Sequence, residues 1–432
     1  MAEPAGHAPP SAPSRRAAYW ALGLLTAINL LNYLDRYVIA PLGTDLKRDM
    51  ALSDTQLGWL IPAFILVYMA AAPLFGAWGD RGSRTHPIAL GIGIWSLATV
   101  LSGLAHGYPH LLAARALVGI GEAAIVAIAP SLLGDLFAPR LRARVFALFN
   151  MAIPVGAALG YVVGGLVGQH FGWRAAFFVA GVPGAALALA SLWLPDPPRG
   201  VQENQLKAPA GAAPAAGAAA VYRDLLRRGP YMVLVLGYAA YTFALGGLAY
   251  WMPIFLERVR HVPKAGAATD FGLIVLGTGV VGTMAGGWLA DYLRRYSGQA
   301  YLWFSGAVTL LAAPAALLAL GAAQRSVYFP AIVAAELLLF MSTGPVNAAL
   351  VNVVSPRERA SAAALTMVVI HLLGDVPSPI LIGSISDHLG QRLGEAVALG
   401  RAVLIVPAAI LIAGLIWLLA ARFGERVAPA RA

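Results

Sequence analysis

The feature that most constrains this chain is a series of twelve long apolar segments that cover most of its 432 residues. A membrane-spanning helix needs about 20 predominantly apolar residues, and each segment is close to that length. Only 12% of the residues are charged, about half the share found in a soluble domain. The sequence therefore predicts an all-α integral membrane protein with twelve transmembrane helices. The segments are 18–41, 54–78, 87–105, 109–133, 143–168, 173–194, 230–256, 270–292, 301–321, 327–352, 359–386 and 398–422.

The basic residues indicate an orientation. Most Lys and Arg side chains between the segments fall on the side of the N terminus, among them Arg81 and Arg84. The positive-inside rule then places both termini in the cytoplasm. The same rule explains the net charge of +10, so we expect no nucleic-acid partner. The loop that carries Arg258, Arg260 and Lys264 opposes the rule.

Two short motifs recur in order along the chain. Gly76–Arg84 recurs as Gly287–Arg295, and Pro139–Ala143 recurs as Pro356–Ala360. Recurrence at nearly equal offsets indicates a duplication, and paired bundles around a central site are a common transporter design.

The break between the repeats divides the chain. The segment 195–229 is rich in Ala, Pro and Gly and offers no apolar face to bury, so we expect a flexible linker. The predicted regions are a cytoplasmic tail (1–17), an N-terminal six-helix bundle (18–194), a cytoplasmic linker (195–229), a C-terminal six-helix bundle (230–422) and a second cytoplasmic tail (423–432).

Several stretches resemble a known family. Gly76–Arg84 resembles the loop signature of the major facilitator superfamily. Within that superfamily the resemblance is to the Spinster family, and it extends over nearly the whole chain. It is carried by Asn29–Val38, Arg115–Ala124, Ala152–Gly165, the LPDPPRG that follows the sixth segment, and His371–Asp387.

The resemblance implies a fold and a function. The fold would be the major facilitator fold, in which two six-helix bundles enclose a central cavity and move by alternating access. Known Spinster-like members move lysophospholipids or sphingosine phosphate, and some couple to protons. We therefore expect a proton-coupled secondary transporter of amphipathic lipids that uses a proton gradient and no cofactor. Its expected partners are the lipid or other amphipathic substrate, protons and membrane lipids, and we expect a monomer.

Other functions stay open at this stage. One is a small organic-anion or drug carrier of the same superfamily, and another is a non-transporting lipid sensor or scramblase. The sequence has no cysteine, no Walker A loop, no zinc-spaced His pair and no nucleophile elbow, so we predict neither an enzyme nor a metal site. The abundance of Ala, Gly and Arg hints at a GC-rich bacterial genome, and hence at the inner (plasma) membrane.

Ionisable residues inside the spans are the candidate functional residues, because each costs at least a few kcal/mol at the helix centre. Asp35 and Arg115 are expected at similar depth, so they could pair. Glu122 follows Arg115 by seven residues and projects from the same helix face. The set within the spans is Asp35, Arg36, Arg115, Glu122, Glu336, His371 and Asp375.

The expected roles follow from the chemistry. Arg115 offers a planar guanidinium suited to a phosphate or carboxylate. Protonation of Asp35 would release Arg115 to an anionic head group, and Glu122 would bind a proton near neutral pH. We therefore predict proton coupling by Asp35 and Glu122, and substrate binding by Arg115, Glu122 and Asp35. The matching Spinster positions are thought to serve these roles. The alternative is a static Asp35–Arg115 salt bridge that only fixes helix packing.

Four further residues are secondary cavity candidates. Arg36 points about 100° away from Asp35 and could pair within its half or snorkel to the outer interface. Glu336 has no obvious partner in its span. A lone His371 is more often a packed hydrogen-bonding group than a proton switch. Pro377 and Pro379 should break or bend the helix, and Asp375 could cap the broken end or bind substrate.

The last predicted site is a cytoplasmic gate at the inner helix ends. Carboxylates and basic groups placed there can form pairs that depend on the conformational state. The second copy is incomplete, because Tyr292 stands where Arg81 stands in the first. The predicted gate residues are Asp80, Arg81, Arg84, Asp291 and Arg295.

Overall fold

The computed structural model describes residues 14–199, 218–355 and 358–423, and within these ranges the chain is helical apart from turns and short connections. Among the described residues, twelve helices are long and apolar enough to cross a membrane. The principal helices are α1 (Arg15–Val38), α2 (Leu60–Arg81), α3 (Thr85–Gly103), α4 (Tyr108–Leu136), α5 (Pro139–Phe171), α6 (Trp173–Ser191), α7 (Gly229–Arg258), α8 (Lys264–Leu293), α9 (Ala300–Gly321), α10 (Arg325–Val353), α11 (Arg359–Ile370 continued by Pro377–Leu393) and α12 (Ile405–Phe423).

Small residues bring the helices of the N-terminal half together. In α5, Gly156, Gly160 and Gly164 recur every four residues, and a Cβ at any of them would collide with a backbone carbonyl of α1. A stripe of glycines at this spacing lets two helix backbones touch, which is a common means of helix association in membranes. The α1–α5 contact therefore fixes how α1 is rotated, and that rotation decides which α1 side chains reach the centre of the molecule.

The two halves meet along a seam with two contact regions. The helices α5 and α8 pack along each other, with Gly165 against Ala268. At one end of the seam, the short helix Asp54–Gly58 before α2 packs on α11, where a Cβ at Gly58 would collide with the Pro379 carbonyl. We call this the outer end, because it lies opposite the inner end where α1 begins and α12 finishes.

The helix α11 is widened by one irregular turn. Residues His371–Asp375 form a π-helical turn between two α-helical parts. The chain therefore continues through the prolines instead of breaking, and Pro377 and Pro379 occupy the start of the second part. Because π-turns often occur at functional sites, this turn marks where α11 faces the centre of the molecule.

The predicted linker is partly helical. Residues 200–217 lie outside the described residues, as do 1–13 of the first tail and 424–432 of the second. Within the linker, however, Ala218–Arg227 forms a helix with Leu225 fully buried. The expectation that this segment buries no apolar face was therefore wrong for its last part, because α7 and α11 provide a surface on which the helix docks.

Candidate substrate cavity

Two adjoining cavities of about 260 and 230 Å³ lie at the seam between the halves. They share Tyr37, Gly246, Ala249 and Asp375. The larger is lined by Tyr33, Arg36, Tyr37, Ile61, Phe64, Ile65, Tyr68, Val126, Gly246, Ala249, Met367, His371, Asp375 and Pro379. The smaller is lined by Tyr37, Tyr161, Thr242, Leu245, Gly246, Ala249, Phe271, Val275, Glu336, Phe340 and Asp375. Most of these side chains are apolar or aromatic, so the few charged ones stand out.

Arg36 supplies a guanidinium to the wall of the larger cavity. Its Nη2 donates to Oε2 of Glu122 at 2.6 Å, and its side chain is 19% exposed. The guanidinium also lies 4.7 Å from the ring centroid of Tyr33 and 4.8 Å from that of Phe64. Of the two options for Arg36, pairing within its own half is the one found. The aromatic rings and the carboxylate together hold the cation at the cavity surface.

The predicted pairing of Asp35 with Arg115 is present behind that surface. Arg115 Nη1 lies 3.3 Å from Asp35 Oδ2, and the indole of Trp95 donates to the same oxygen at 3.0 Å. Both charged side chains are almost fully buried. Arg115 lines neither seam cavity in this conformation, so its predicted contact with substrate stays a prediction. Asp35 and Arg36 project about 100° apart on α1, so one points into the half and the other into the cavity.

Some polar atoms of this network have no hydrogen-bond partner in the described part of the chain. They include Glu122 Oε1, Arg115 Nε and both amide atoms of Asn32. Buried polar groups are rarely left unpaired, and such atoms are usually explained by a role or by water. Glu122 thus has Oε2 on Arg36 and Oε1 without a partner among the described residues.

The C-terminal half contributes two carboxyl groups that are not paired with any described arginine. Glu336 is 3% exposed, lines the smaller cavity, and makes no hydrogen bond or ion pair with any described residue. Asp375 lines both cavities and accepts from, or donates to, Nδ1 of His371 at 2.8 Å. His371 is thus a hydrogen-bonded group, as the sequence favoured, although it also lines the larger cavity.

The predicted cytoplasmic gate is not assembled between the halves. Arg84 is buried within the N-terminal half, where it pairs with Asp135 at 2.5 Å and with Asp196 at 2.7 Å. Asp80 and Arg81 are exposed at the end of α2.

The second copy of the gate also stays within its own half. The hydroxyl of Tyr301 donates to Asp291 at 2.6 Å, and Arg295 lies 5.6 Å from the Tyr292 ring centroid. The expected latch is therefore absent from this conformation. Arg84, Asp291 and Arg295 have nearby partners, whereas Asp80 and Arg81 are exposed.

A set of polar contacts joins the halves at the outer end, and the sequence reasoning missed it. Asp54 of the N-terminal half accepts from Arg258 at 2.8 Å and from the Ser386 hydroxyl at 2.7 Å. In return, Asp387 of the C-terminal half accepts from the backbone N–H groups of Asp54 and Thr55, each at 2.8 Å. The carboxylate of each half thus accepts hydrogen bonds from the other half. We call these five residues the outer clamp.

Further pairs surround the outer clamp. Lys264 pairs with Asp45, and the Thr44 hydroxyl donates to Glu257 at 2.8 Å. Among the residues that the structure describes, ion pairs between the halves occur at the outer end alone. One sequence motif could have indicated the clamp. Ser53 and Gln56 form a capping box at the start of the short helix, and this places Asp54 in its first turn.

Paired six-helix bundles around a seam cavity define a multi-pass integral membrane protein of the transporter class. The Major Facilitator Superfamily matches residues 25–374. Protein spinster homolog 1 of Mus musculus is 38% identical over 387 residues, which cover 85% of this chain and 72% of the relative. The sphingosine-1-phosphate transporter SPNS2 of Xenopus tropicalis is 35% identical over 431 residues, which cover 95% and 82%. The chain belongs to the Spinster family of the Major Facilitator Superfamily.

Other relatives agree with this assignment. The chain is 33% identical to Protein spinster of Drosophila melanogaster and spans 66% of that protein's length. A solved structure of a bacterial homolog to the human lysosomal transporter Spinster, in an inward-facing and unoccupied conformation, superposes with a TM-score of 0.86. That pair is 27% identical, and the match covers 97% of this chain and 100% of the other.

Proposed function

We propose that this protein is a proton-coupled secondary transporter of amphipathic lipids of the lysophospholipid or sphingolipid class. Transport would proceed by alternating access, with both termini in the cytoplasm and with no covalent step. The observation that carries the proposal is Arg36, a guanidinium held in the wall of a largely apolar and aromatic cavity between the halves. Such a cavity suits a molecule with an anionic head group and an acyl chain.

The conformation supports alternating access. The outer clamp closes the seam at one end, while the described charges at the inner end pair within their own halves. The cavity is thus closed from the outer end and free to open at the inner end. The likeness to an inward-facing structure supports the same state. Transport would require the outer clamp to separate and the inner ends to meet, and the predicted gate residues Asp80 and Arg84 are candidates for that second contact.

Proton coupling would operate through the two ion pairs of the N-terminal half. A proton on Glu122 would weaken its hold on Arg36 and free the guanidinium for an anionic head group. The Asp35–Arg115 pair lies behind Arg36, and its own protonation would change the net charge behind the cavity wall. Proton and substrate would then act on the same small set of charges, which is the basis of coupling.

The test is uptake of a radiolabelled lysophospholipid by liposomes that contain the purified protein, with and without a pH gradient. We expect saturable uptake that responds to the gradient. Glu122→Gln, which imitates the protonated carboxyl, should bind lipid but lose the response to the gradient. Asp270→Asn is the matched control, because Asp270 pairs with Arg325 within the C-terminal half and lines neither seam cavity.

The alternatives give different results in the same assay. A scramblase would equilibrate lipid without responding to the gradient, and a sensor would bind lipid without flux. A carrier of small organic anions or drugs would take up such compounds and leave the lysophospholipid untouched. The bacterial origin of the solved homolog favours the inner membrane as the location of this protein, and fractionation of a native source would test that.

A further inference from the structure

We infer that the linker helix, Ala218–Arg227, binds anionic phospholipid of the membrane surface at the inner end. Its binding surface consists of an exposed apolar pair, Tyr222 and Leu226, beside an exposed basic pair, Arg223 and Arg227. We call these four residues the linker surface. This lipid is separate from the transported substrate, because none of the four lines either seam cavity.

The linker helix is held at the head-group level of the membrane. It begins at Ala218 and docks on α7 and α11, with Leu225 fully buried and Val221 packed beside it. The backbone of Arg228 is extended, so the chain changes direction there instead of continuing into α7 as one helix. The span α7 has 30 residues and is therefore about 45 Å long, which matches a bilayer with its head groups. The start of α7, and the helix docked beside it, thus lie among the head groups.

The linker helix separates its side chains into stripes, because residues four apart share one face of a helix. The buried Leu225 faces the protein. Tyr222 and Leu226 form the next stripe and are 37% and 52% exposed, and Arg223 and Arg227 form a stripe on the far side from Leu225. A helix that lies in a membrane interface has this arrangement, with its apolar side chains in the acyl boundary and its basic ones among the phosphates.

The basic pair of the linker surface lacks counter-charges. Arg223 and Arg227 make no hydrogen bond or ion pair with any residue that the structure describes. The neighbouring Arg228, by contrast, is bound by Asp224 at 2.5 Å and by Glu358 at 3.0 Å. Like charges four residues apart on a helix repel each other, so an anion between them would relieve the repulsion. A lipid phosphate suits two guanidinium groups, and the apolar stripe beside them favours an anion that carries acyl chains.

The test places a reporter next to the linker surface. The chain has no cysteine, so Gly229→Cys can carry a single fluorescent dye, and no other group lies within 4 Å of a Cβ at that position. The labelled protein is placed in phosphatidylcholine nanodiscs that contain a rising share of brominated phosphatidylglycerol or, in a matched series, of brominated phosphatidylcholine. We expect phosphatidylglycerol to quench the dye at the lower mole fraction, and we expect this preference to shrink as salt is added.

Two double variants separate the charge from the apolar contact. Arg223→Gln/Arg227→Gln should weaken the apparent affinity for phosphatidylglycerol roughly thirtyfold, because two basic side chains near an anionic surface are lost. Tyr222→Ser/Leu226→Ser should reduce quenching by both lipids and keep the ratio between them. All four side chains are exposed, so we expect the thermal midpoint of each variant in detergent to match that of the parent protein.

The matched control is Arg48→Gln/Arg325→Gln, which removes two arginines at the outer end that are 72% and 62% exposed. It should change neither series. Equal quenching by the two lipids in the parent protein, or an unchanged preference in Arg223→Gln/Arg227→Gln, would overturn the inference. Displacement of the brominated phosphatidylglycerol by a tenfold excess of water-soluble glycerophosphoglycerol would also overturn it, because the occupant would then be a soluble anion.

Discussion

The two halves share a scaffold but differ in how they treat buried charge. In the N-terminal half every buried ionic group has a partner, with Arg36 on Glu122 and Asp35 on Arg115. In the C-terminal half Glu336 is as deeply buried and has no partner among the described residues. The N-terminal half thus neutralises its buried charges with its own side chains, whereas the C-terminal half keeps a buried carboxyl that no described side chain pairs with. The two halves therefore resemble each other in their helices and differ in the chemistry of their buried charges.

Breaking the N-terminal pairing at the cavity surface should have the largest effect. Arg36→Ala leaves Glu122 buried without its cation, and removal of one partner of a buried pair costs about 3–5 kcal/mol. We expect loss of lipid uptake together with a lower midpoint of thermal unfolding in detergent.

The double variant Arg36→Ala/Glu122→Gln separates the two effects. It should recover most of the thermal stability, because no unpaired charge remains, but not the uptake. Arg48→Ala, at a side chain that is 72% exposed, is the control. Recovery of uptake in the double variant would show that Arg36 has no part in substrate binding.

The second prediction concerns the pair that lies behind the cavity. Asp35→Asn should give folded, membrane-inserted protein that still moves lipid but no longer responds to a pH gradient, because the carboxyl can no longer gain or lose a proton. The measurement is liposome uptake at several internal and external pH values. Unchanged pH dependence in this variant would favour a static Asp35–Arg115 salt bridge that only fixes packing.

The third prediction tests the place where the halves exchange carboxylates. Asp387→Asn keeps the shape of the outer clamp but removes the charge that accepts two backbone N–H groups of the other half. Hydrogen bonds to charged groups contribute about 1.5–3 kcal/mol each, so the population should shift strongly towards an open outer end. Because the chain has no cysteine, Ala249→Cys can report access of an impermeant thiol reagent from the outer side.

The control for the clamp is Asp270→Asn. Asp270 pairs with Arg325 at 2.7 Å within the C-terminal half, so its loss should leave labelling of Ala249→Cys unchanged. Equal labelling in the Asp387→Asn variant and in the parent protein would show that the outer clamp does not hold the seam closed.

The smallest effect is expected at the inner end, outside the membrane spans. Hydrogen bonds from Arg228 and Ser355 lower the pKa of Glu358 from 4.5 to about 2. A carboxyl whose pKa is lowered by folding stabilises the folded state above its unfolded pKa, and that contribution disappears as the pH falls towards the folded value. The thermal midpoint of the parent protein should therefore fall more than that of Glu358→Gln between pH 4.5 and about 2, and the difference between them should be constant above pH 5. A difference that kept growing above pH 5 would contradict this assignment.

Much of the fold could be predicted from the sequence because the bilayer imposes a simple rule on length and composition. The predicted span 109–133 corresponds to α4 (Tyr108–Leu136), and the span 301–321 corresponds to α9 (Ala300–Gly321). Helix ends were less certain, since helices such as α5 (Pro139–Phe171) extend beyond the apolar core into the interface. The docked helix Ala218–Arg227 was missed, because its short apolar face has a partner only in the folded protein.

The candidate site could also be predicted only in part. Sequence reasoning found the ionisable residues of the spans, because a charge in an apolar segment is conspicuous whatever its partner. It also paired Asp35 with Arg115 from their expected depths. The sequence did not predict that Asp35 faces into the N-terminal half and Arg36 faces the cavity. The rotation of α1 that sets these directions depends on its contacts with the glycines of α5.

What the sequence alone determined is therefore the set of membrane helices, the family and the candidate ionisable residues within the spans. These follow from residue types and from spacing along one helix at a time. The tertiary structure decided which charges share a pair, that Glu336 is left without one, and that Asp54 and Asp387 close the seam across 333 residues of sequence. Such choices depend on the rotation and separation of helices that are distant in the chain, and only packing in three dimensions sets these.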